Sequence, residues 1–155
     1  MGADSALGKA LMQHLSAGGH NVVGTTRRRD TVDETHLFLD LTASPETWSI
    51  PEDIGYAVLC AARPKLADCR ANPDASYRVN VDATTALARQ LSSVGVYVVY
   101  PSMNLVFSGQ RASMPANSKP DPHTEYGRQK AATECALLAL AGPVLCLRIT
   151  KIFTD

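Results

Sequence analysis

The sequence carries no apolar run long enough to cross a bilayer, no excess of either charge and no clustered cysteines. Each absence removes a class of protein. A membrane-spanning helix needs about 20 consecutive apolar residues. Fifteen Lys and Arg balance fifteen Asp and Glu, so no overall field draws the chain to nucleic acid or to an anionic membrane surface. The opening Met1-Gly2-Ala3-Asp4-Ser5 lacks the basic and apolar regions of a secretory signal. Cys60, Cys69, Cys135 and Cys146 are spread without a CxxC or a neighbouring histidine cluster. That spacing argues against a zinc site or a disulfide framework. The expectation is a cytoplasmic protein with reduced thiols, no metal, and neither nucleic acid nor membrane as partner.

What is present is enough for a packed core. A chain of 155 residues that is 45% hydrophobic and 19% charged has the size of one domain. Leu7, Leu11 and Leu15 recur at helical spacing from Ser5 to Ala17, and Gly18-Gly19 stops the pattern. Asn21 to Thr25 and His36 to Leu41 read as strands, and Ser44 to Trp48 as a capped helical turn. Tyr56 to Cys60 is a continuous apolar run, as expected for a strand covered on both faces. Pro73 to Ser92 carries Val79, Ala83, Leu87 and Leu91 on one helical stripe. Val94 to Tyr100 reads as a strand, Pro101 to Pro122 as loop, Glu125 to Leu140 as helix and Val144 to Leu147 as strand. Strands alternating with helices predict an α/β fold, a doubly wound parallel sheet built from right-handed crossovers.

Two short segments carry chemistry. Gly2, Ser5, Ala6, Leu7 and Gly8 form a small-residue turn opening the first helix. Such a turn lets backbone amides approach a pyrophosphate at the positive end of the helix dipole. Farther on, Tyr126 and Lys130 stand four residues apart on a predicted helix, so both leave one face. A carbonyl reductase needs an acid that protonates an alkoxide. Tyrosine ordinarily titrates near 10, and bringing it to about 7 takes roughly 4 kcal/mol of differential stabilisation, which an adjacent ammonium can supply.

The order of motifs resembles the extended short-chain dehydrogenase/reductase family, within it the dTDP-4-dehydrorhamnose reductase group. Gly2 and Gly8 match the outer glycines of its GxxGxxG loop, with Ser5 in place of the middle one, where a hydroxyl either crowds or hydrogen-bonds a phosphate. Ala61-Ala62, Cys69-Arg70-Ala71-Asn72-Pro73, Val79-Asn80-Val81, Tyr100 to Gly109, Tyr126-Gly127-Arg128-Gln129-Lys130 and Leu147 to Ile152 match further segments in the right order. The resemblance implies that Tyr126 donates the proton and that Lys130 activates it and binds the ribose. It gives Asn80 a place in the proton relay, and Asp40, Leu41, Ala61 and Ala62 a place against the cofactor. The family's catalytic Ser or Thr falls on Met103, leaving Ser102 as the candidate replacement, although in an extended segment it would point elsewhere. The fingerprint ordinarily follows a central strand and the family ordinarily carries a C-terminal substrate domain, so residues 1–155 are expected to be a Rossmann-like fragment lacking both.

The strand end Gly24-Thr25-Thr26 runs into Arg27-Arg28-Arg29 with no acid before Asp30. Arginine there suits a 2′-phosphate, so NADP is expected through Arg27 and Arg28, with NAD as the other choice. The leading expectation is an oxidoreductase or epimerase acting on a nucleotide-sugar-like small molecule. The alternatives are a dinucleotide-binding regulatory subunit with weak catalysis and an inactive truncated product. A homodimer stays open.

Overall fold

In a computed structural model the described residues are 1–43 and 48–150. Most of the turn expected at Ser44 to Trp48, and the motif residues Lys151 and Ile152, lie outside them. Helix α1 (Ala6–Ala17) leads to strands β1 (Gly24–Thr26) and β2 (His36–Phe38), then β3 (Tyr56–Val58). Helices α2 (Leu66–Ala71) and α3 (Pro73–Tyr77) follow. A π-helical turn (Arg78–Ala83) joins α3 to α4 (Thr84–Ser93), and β4 (Tyr97–Met103), α5 (Glu125–Leu138) and β5 (Val144–Ile149) complete the order.

All strand pairs among the described residues are parallel: β1 with β2, β3 with β4, and β4 with β5. The two groups of strands are tied together by Met1 to Ala3. The Met1 amine donates to the Val58 carbonyl at 2.8 Å and its carbonyl accepts from Cys60 N at 3.0 Å. On the other side Ala3 N donates to the Thr25 carbonyl at 2.9 Å and Gly2 N to Thr25 Oγ1 at 3.0 Å. The lateral order is therefore β2, β1, the Met1–Ala3 segment, β3, β4, β5. An apolar cavity of about 350 Å³, lined by Leu11, Met12, Val22, Trp48 and Val58 among others, lies between β1 and β3.

The core forms where α4 and α5 meet the sheet. Leu87, Leu91 and Leu137 are fully buried against Leu59, Val98 and Tyr100. Each such leucine contributes roughly 1.5–3 kcal/mol of transfer free energy. The predicted stripe of Val79, Ala83, Leu87 and Leu91 is buried throughout.

Both ends of β4 differ from the sequence-based reading. Gly95 adopts φ +84° and closes a turn after α4, so β4 begins at Tyr97 rather than Val94. At its far end β4 runs past the expected boundary into Met103, because Pro101, Ser102 and Met103 pair with Leu147, Arg148 and Ile149 of β5. Proline is tolerated there because strand alternation turns its nitrogen toward β3, which has already ended at Val58.

Arg148 and Glu134 fasten β5 to α5. Their side chains are 17% and 3% exposed and meet at 2.7 Å. The guanidinium also donates to the carbonyls of Ala116 and Ser118, each at 2.8 Å, holding the long loop before α5. Removing one member of a buried pair strands the other's charge. Glu134→Ala should cost about 3 kcal/mol in urea unfolding, whereas Glu134→Leu combined with Arg148→Met should recover most of that loss.

Candidate functional site

The loop before α1 is shaped by contacts no side chain could share. Gly2 sits at φ +77°, and a Cβ there would lie 2.7 Å from Ala61 N. A Cβ on Gly8 would lie 2.2 Å from the Gly2 carbonyl oxygen. Ser5, in place of a middle glycine, has φ −72° and needs no glycine. Its hydroxyl donates to the Gly2 carbonyl at 2.9 Å and accepts from Gly8 N at 3.0 Å, capping the helix. The amides of Ala6 and Leu7, in the first turn, have no acceptor among the described residues and open onto a cleft.

That cleft, about 770 Å³, is within the usual range for cofactor sites. Gly2, Ser5, Ala6 and Leu7 form one wall; Arg27, Asp40 and Leu41 form the end beyond β1 and β2. Ala61 and Ala62 lie after β3, and Ser102, Tyr126 and Lys130 form the opposite wall. Three expected residues stand outside it. Gly8 is buried beneath the loop. Arg28 pairs with the Asp4 carboxylate. Asn80, in the π-helical turn, is buried behind the wall: its side chain accepts from Arg63 N at 2.7 Å and donates to Arg63 O at 3.1 Å and to Gln129 Oε1 at 2.7 Å. Its carbonyl accepts from Thr133 Oγ1 at 2.8 Å.

Helix α5 brings Tyr126 and Lys130 to the cleft. Thr124 caps it, accepting from Gly127 N at 3.0 Å, and Glu125 lies in its positive first turn. Gly127 is dictated by packing, since a Cβ there would lie 2.2 Å from the Leu105 carbonyl oxygen. Lys130 Nζ donates to the Pro101 carbonyl at 2.9 Å and lies 4.3 Å over the Tyr100 ring, against 5.7 Å from the Tyr126 ring. Pro101 thus contributes the carbonyl that β3, already ended, does not use.

Burial penalises the phenolate and pushes the Tyr126 hydroxyl well above its ordinary value. Burial also lowers the Lys130 ammonium to about 8. The segment of Ser102 is extended, and Ser102 alternates with Val98 and Tyr100 on the buried face of β4, the side on which Lys130 lies over Tyr100. Its Oγ is buried without a hydrogen-bond partner among the described residues. Sequence reasoning missed Asp4, Arg63 and Pro101. Only Asp4, an acid inside a small-residue loop, gave a visible signal.

The RmlD substrate binding domain family matches residues 1–155. The chain belongs to that family. It is 30% identical over 158 residues to methionine adenosyltransferase 2 subunit beta of Pongo abelii, covering 99% of this chain and 46% of that protein. The chain thus spans about half the length of the curated relatives it matches. A hypothetical dTDP-4-dehydrorhamnose reductase from Sulfolobus tokodaii superposes with TM-score 0.85 at 26% identity, covering 100% of this chain and 56% of that one. MoeE5 in complex with UDP-glucose and NAD gives TM-score 0.79 at 26% identity, over 95% of this chain and 52% of that one. As in the RmlD-type neighbour, the fold is the parallel α/β arrangement expected of a Rossmann-like half. Among the described residues no helix is long and apolar enough to cross a membrane.

Lys130 gives the site a pH signature. Its folded value of about 8 lies below the ordinary 10.5, so the unfolded chain binds the extra proton between those limits. Stability from this group is complete above 10.5 and is lost as pH falls through about 8. Unfolding free energy of the wild type relative to Lys130→Met should therefore rise by about 1 kcal/mol per pH unit from pH 8 to 10.5. A difference that stays flat across that range would mean Lys130 titrates normally.

Proposed function

We propose that residues 1–155 form a dinucleotide-binding domain whose cleft takes NADP(H) in preference to NAD(H). Tyr126, Lys130 and Ser102 then act on the carbonyl or hydroxyl of a nucleotide-sugar-like substrate. The observation carrying this is that one cleft joins the open amides of Ala6 and Leu7 to Tyr126 and Lys130, with Ser102 in the same wall. Gly2 packed on Ala61 leaves the backbone surface that a pyrophosphate needs. Arg27 is the cation available for a 2′-phosphate, and Asp40 and Leu41 flank the adenosine end. Bound in this cleft, the cofactor would supply or accept hydride at its nicotinamide.

The chain's own groups complete that chemistry. The buried Tyr126 phenol stays protonated at neutral pH, so it is ready to give a proton to a carbonyl oxygen as an alkoxide forms. Ser102 Oγ, buried in the wall with its hydrogen-bonding capacity unspent, reaches the same oxygen only on turning out to the cleft. Lys130, anchored on the Pro101 carbonyl, lends positive charge beside the phenol and meets the ribose. Asn80 acts as a positioning residue, clipping the Arg63 loop to Gln129 of the catalytic helix.

A second reading is a dinucleotide-binding subunit without turnover. Met103, standing where the family carries a hydroxyl, favours it, and relatives bear the name of an adenosyltransferase subunit. Turnover separates the two. In an active preparation carrying a substrate domain, Tyr126→Phe should lower carbonyl reduction by at least about a hundredfold, the scale of a positioned general acid. Cofactor binding without measurable reduction by the wild type would favour the subunit reading.

Cofactor preference has its own test. Fluorescence titration should show NADPH bound more tightly than NADH, with Arg27→Ala narrowing the difference. Equal affinities, or a preference indifferent to Arg27→Ala, would remove the role given to Arg27.

A further inference from the structure

Asp4 is the one acid in the phosphate-binding loop, and its carboxylate is already engaged. Thr26 Oγ1 donates to Asp4 Oδ2 at 2.7 Å, and the Arg28 guanidinium donates to Asp4 Oδ1. Thr26, the last residue of β1, also accepts from Arg28 N at 3.1 Å, so loop, strand end and arginine form one closed cluster. Asp4 and Arg27 both line the cleft, whereas Arg28 does not. The side chains of Arg28 and Asp4 are 56% and 35% exposed, so the pair is solvent-screened and can be opened cheaply.

Resting on the dinucleotide reading above, we propose that Asp4 limits this chain's preference for the 2′-phosphorylated cofactor. It engages Arg28 and places a carboxylate on the rim where a 2′-phosphate would lie. The strand end after β1 is where dinucleotide folds discriminate the ribose 2′ position. Two arginines there would grip a phosphate; with Arg28 committed to Asp4, Arg27 acts alone. A carboxylate repels a 2′-phosphate but accepts a hydrogen bond from a 2′-hydroxyl. Asp4 therefore opposes Arg27, and wild-type discrimination is narrower than three consecutive arginines suggest. Arg28 in turn offsets the Asp4 charge, so removing Arg28 bares it.

The test is fluorescence titration of NADPH and NADH into wild type, Asp4→Asn and Arg28→Ala at low and high salt, with melting curves as a control. Asp4→Asn keeps a partner for Thr26 while freeing Arg28. It should tighten NADPH about fivefold, the scale of one screened charge contact, with a much smaller change for NADH and a gain that shrinks in high salt. Arg28→Ala should weaken NADPH by a similar factor, leaving NADH nearly unchanged. It serves as the reading if Asp4→Asn proves poorly folded. Equal shifts for both cofactors, or none, in a folded variant would overturn the inference while leaving the dinucleotide reading intact. A wild type that binds neither cofactor would overturn both.

Discussion

Met1 donates to the Val58 carbonyl and accepts from the Cys60 amide, while Ala3 donates to the Thr25 carbonyl. The cleft depends on this two-sided attachment. The loop from Gly2 to Leu7 belongs to neither group of strands, and these hydrogen bonds, with those from Gly2 N to Thr25 Oγ1 and from Thr26 Oγ1 to Asp4, fix its height above both. With the attachment made, Gly2 is pressed onto Ala61 and the first turn of α1 faces the wall that carries Tyr126 and Lys130. The glycines at positions 2 and 8 follow from this close approach, since any side chain there would push the loop off its anchor.

The opposite wall depends on where β3 stops. Beyond Val58 the β3 side of β4 has no neighbouring strand, so Pro101 sits in a strand without costing a ladder bond and its carbonyl is left for Lys130. The same extension of β4 carries Ser102 to the cleft on the face of Tyr100. Burial then sets the protonation of the wall: it tightens the hold of Tyr126 on its proton and weakens that of Lys130. The loop side presents the open amides of Ala6 and Leu7, and the far side the Tyr126 hydroxyl and the Lys130 ammonium.

Much of this was legible in the sequence because it rests on periodicity and local stereochemistry. The apolar stripe of Val79, Leu87 and Leu91, the four-residue spacing of Tyr126 and Lys130, and the small-residue loop are local patterns, and each lies where its pattern put it. What escaped depends on contacts distant in the chain. Arg28 looked free because its partner Asp4 is 24 residues away. Asn80 looked like a cleft residue because its partners Arg63 and Gln129 lie on other elements. The orientation of Ser102 required knowing that β4 continues past Pro101, which only its pairing with β5 reveals.

The central claim is that the Gly2–Leu7 loop and the Tyr126–Lys130 face make one dinucleotide site. Hydrogen–deuterium exchange with and without NADPH tests it most directly. The account predicts slowed exchange at the amides of Ala6 and Leu7, together with the segments around Ala61 to Arg63 and Tyr126 to Lys130, and little change around Leu11 to Leu15 or Trp48. Protection confined to the apolar cavity between β1 and β3, or no protection at saturating cofactor, would contradict it.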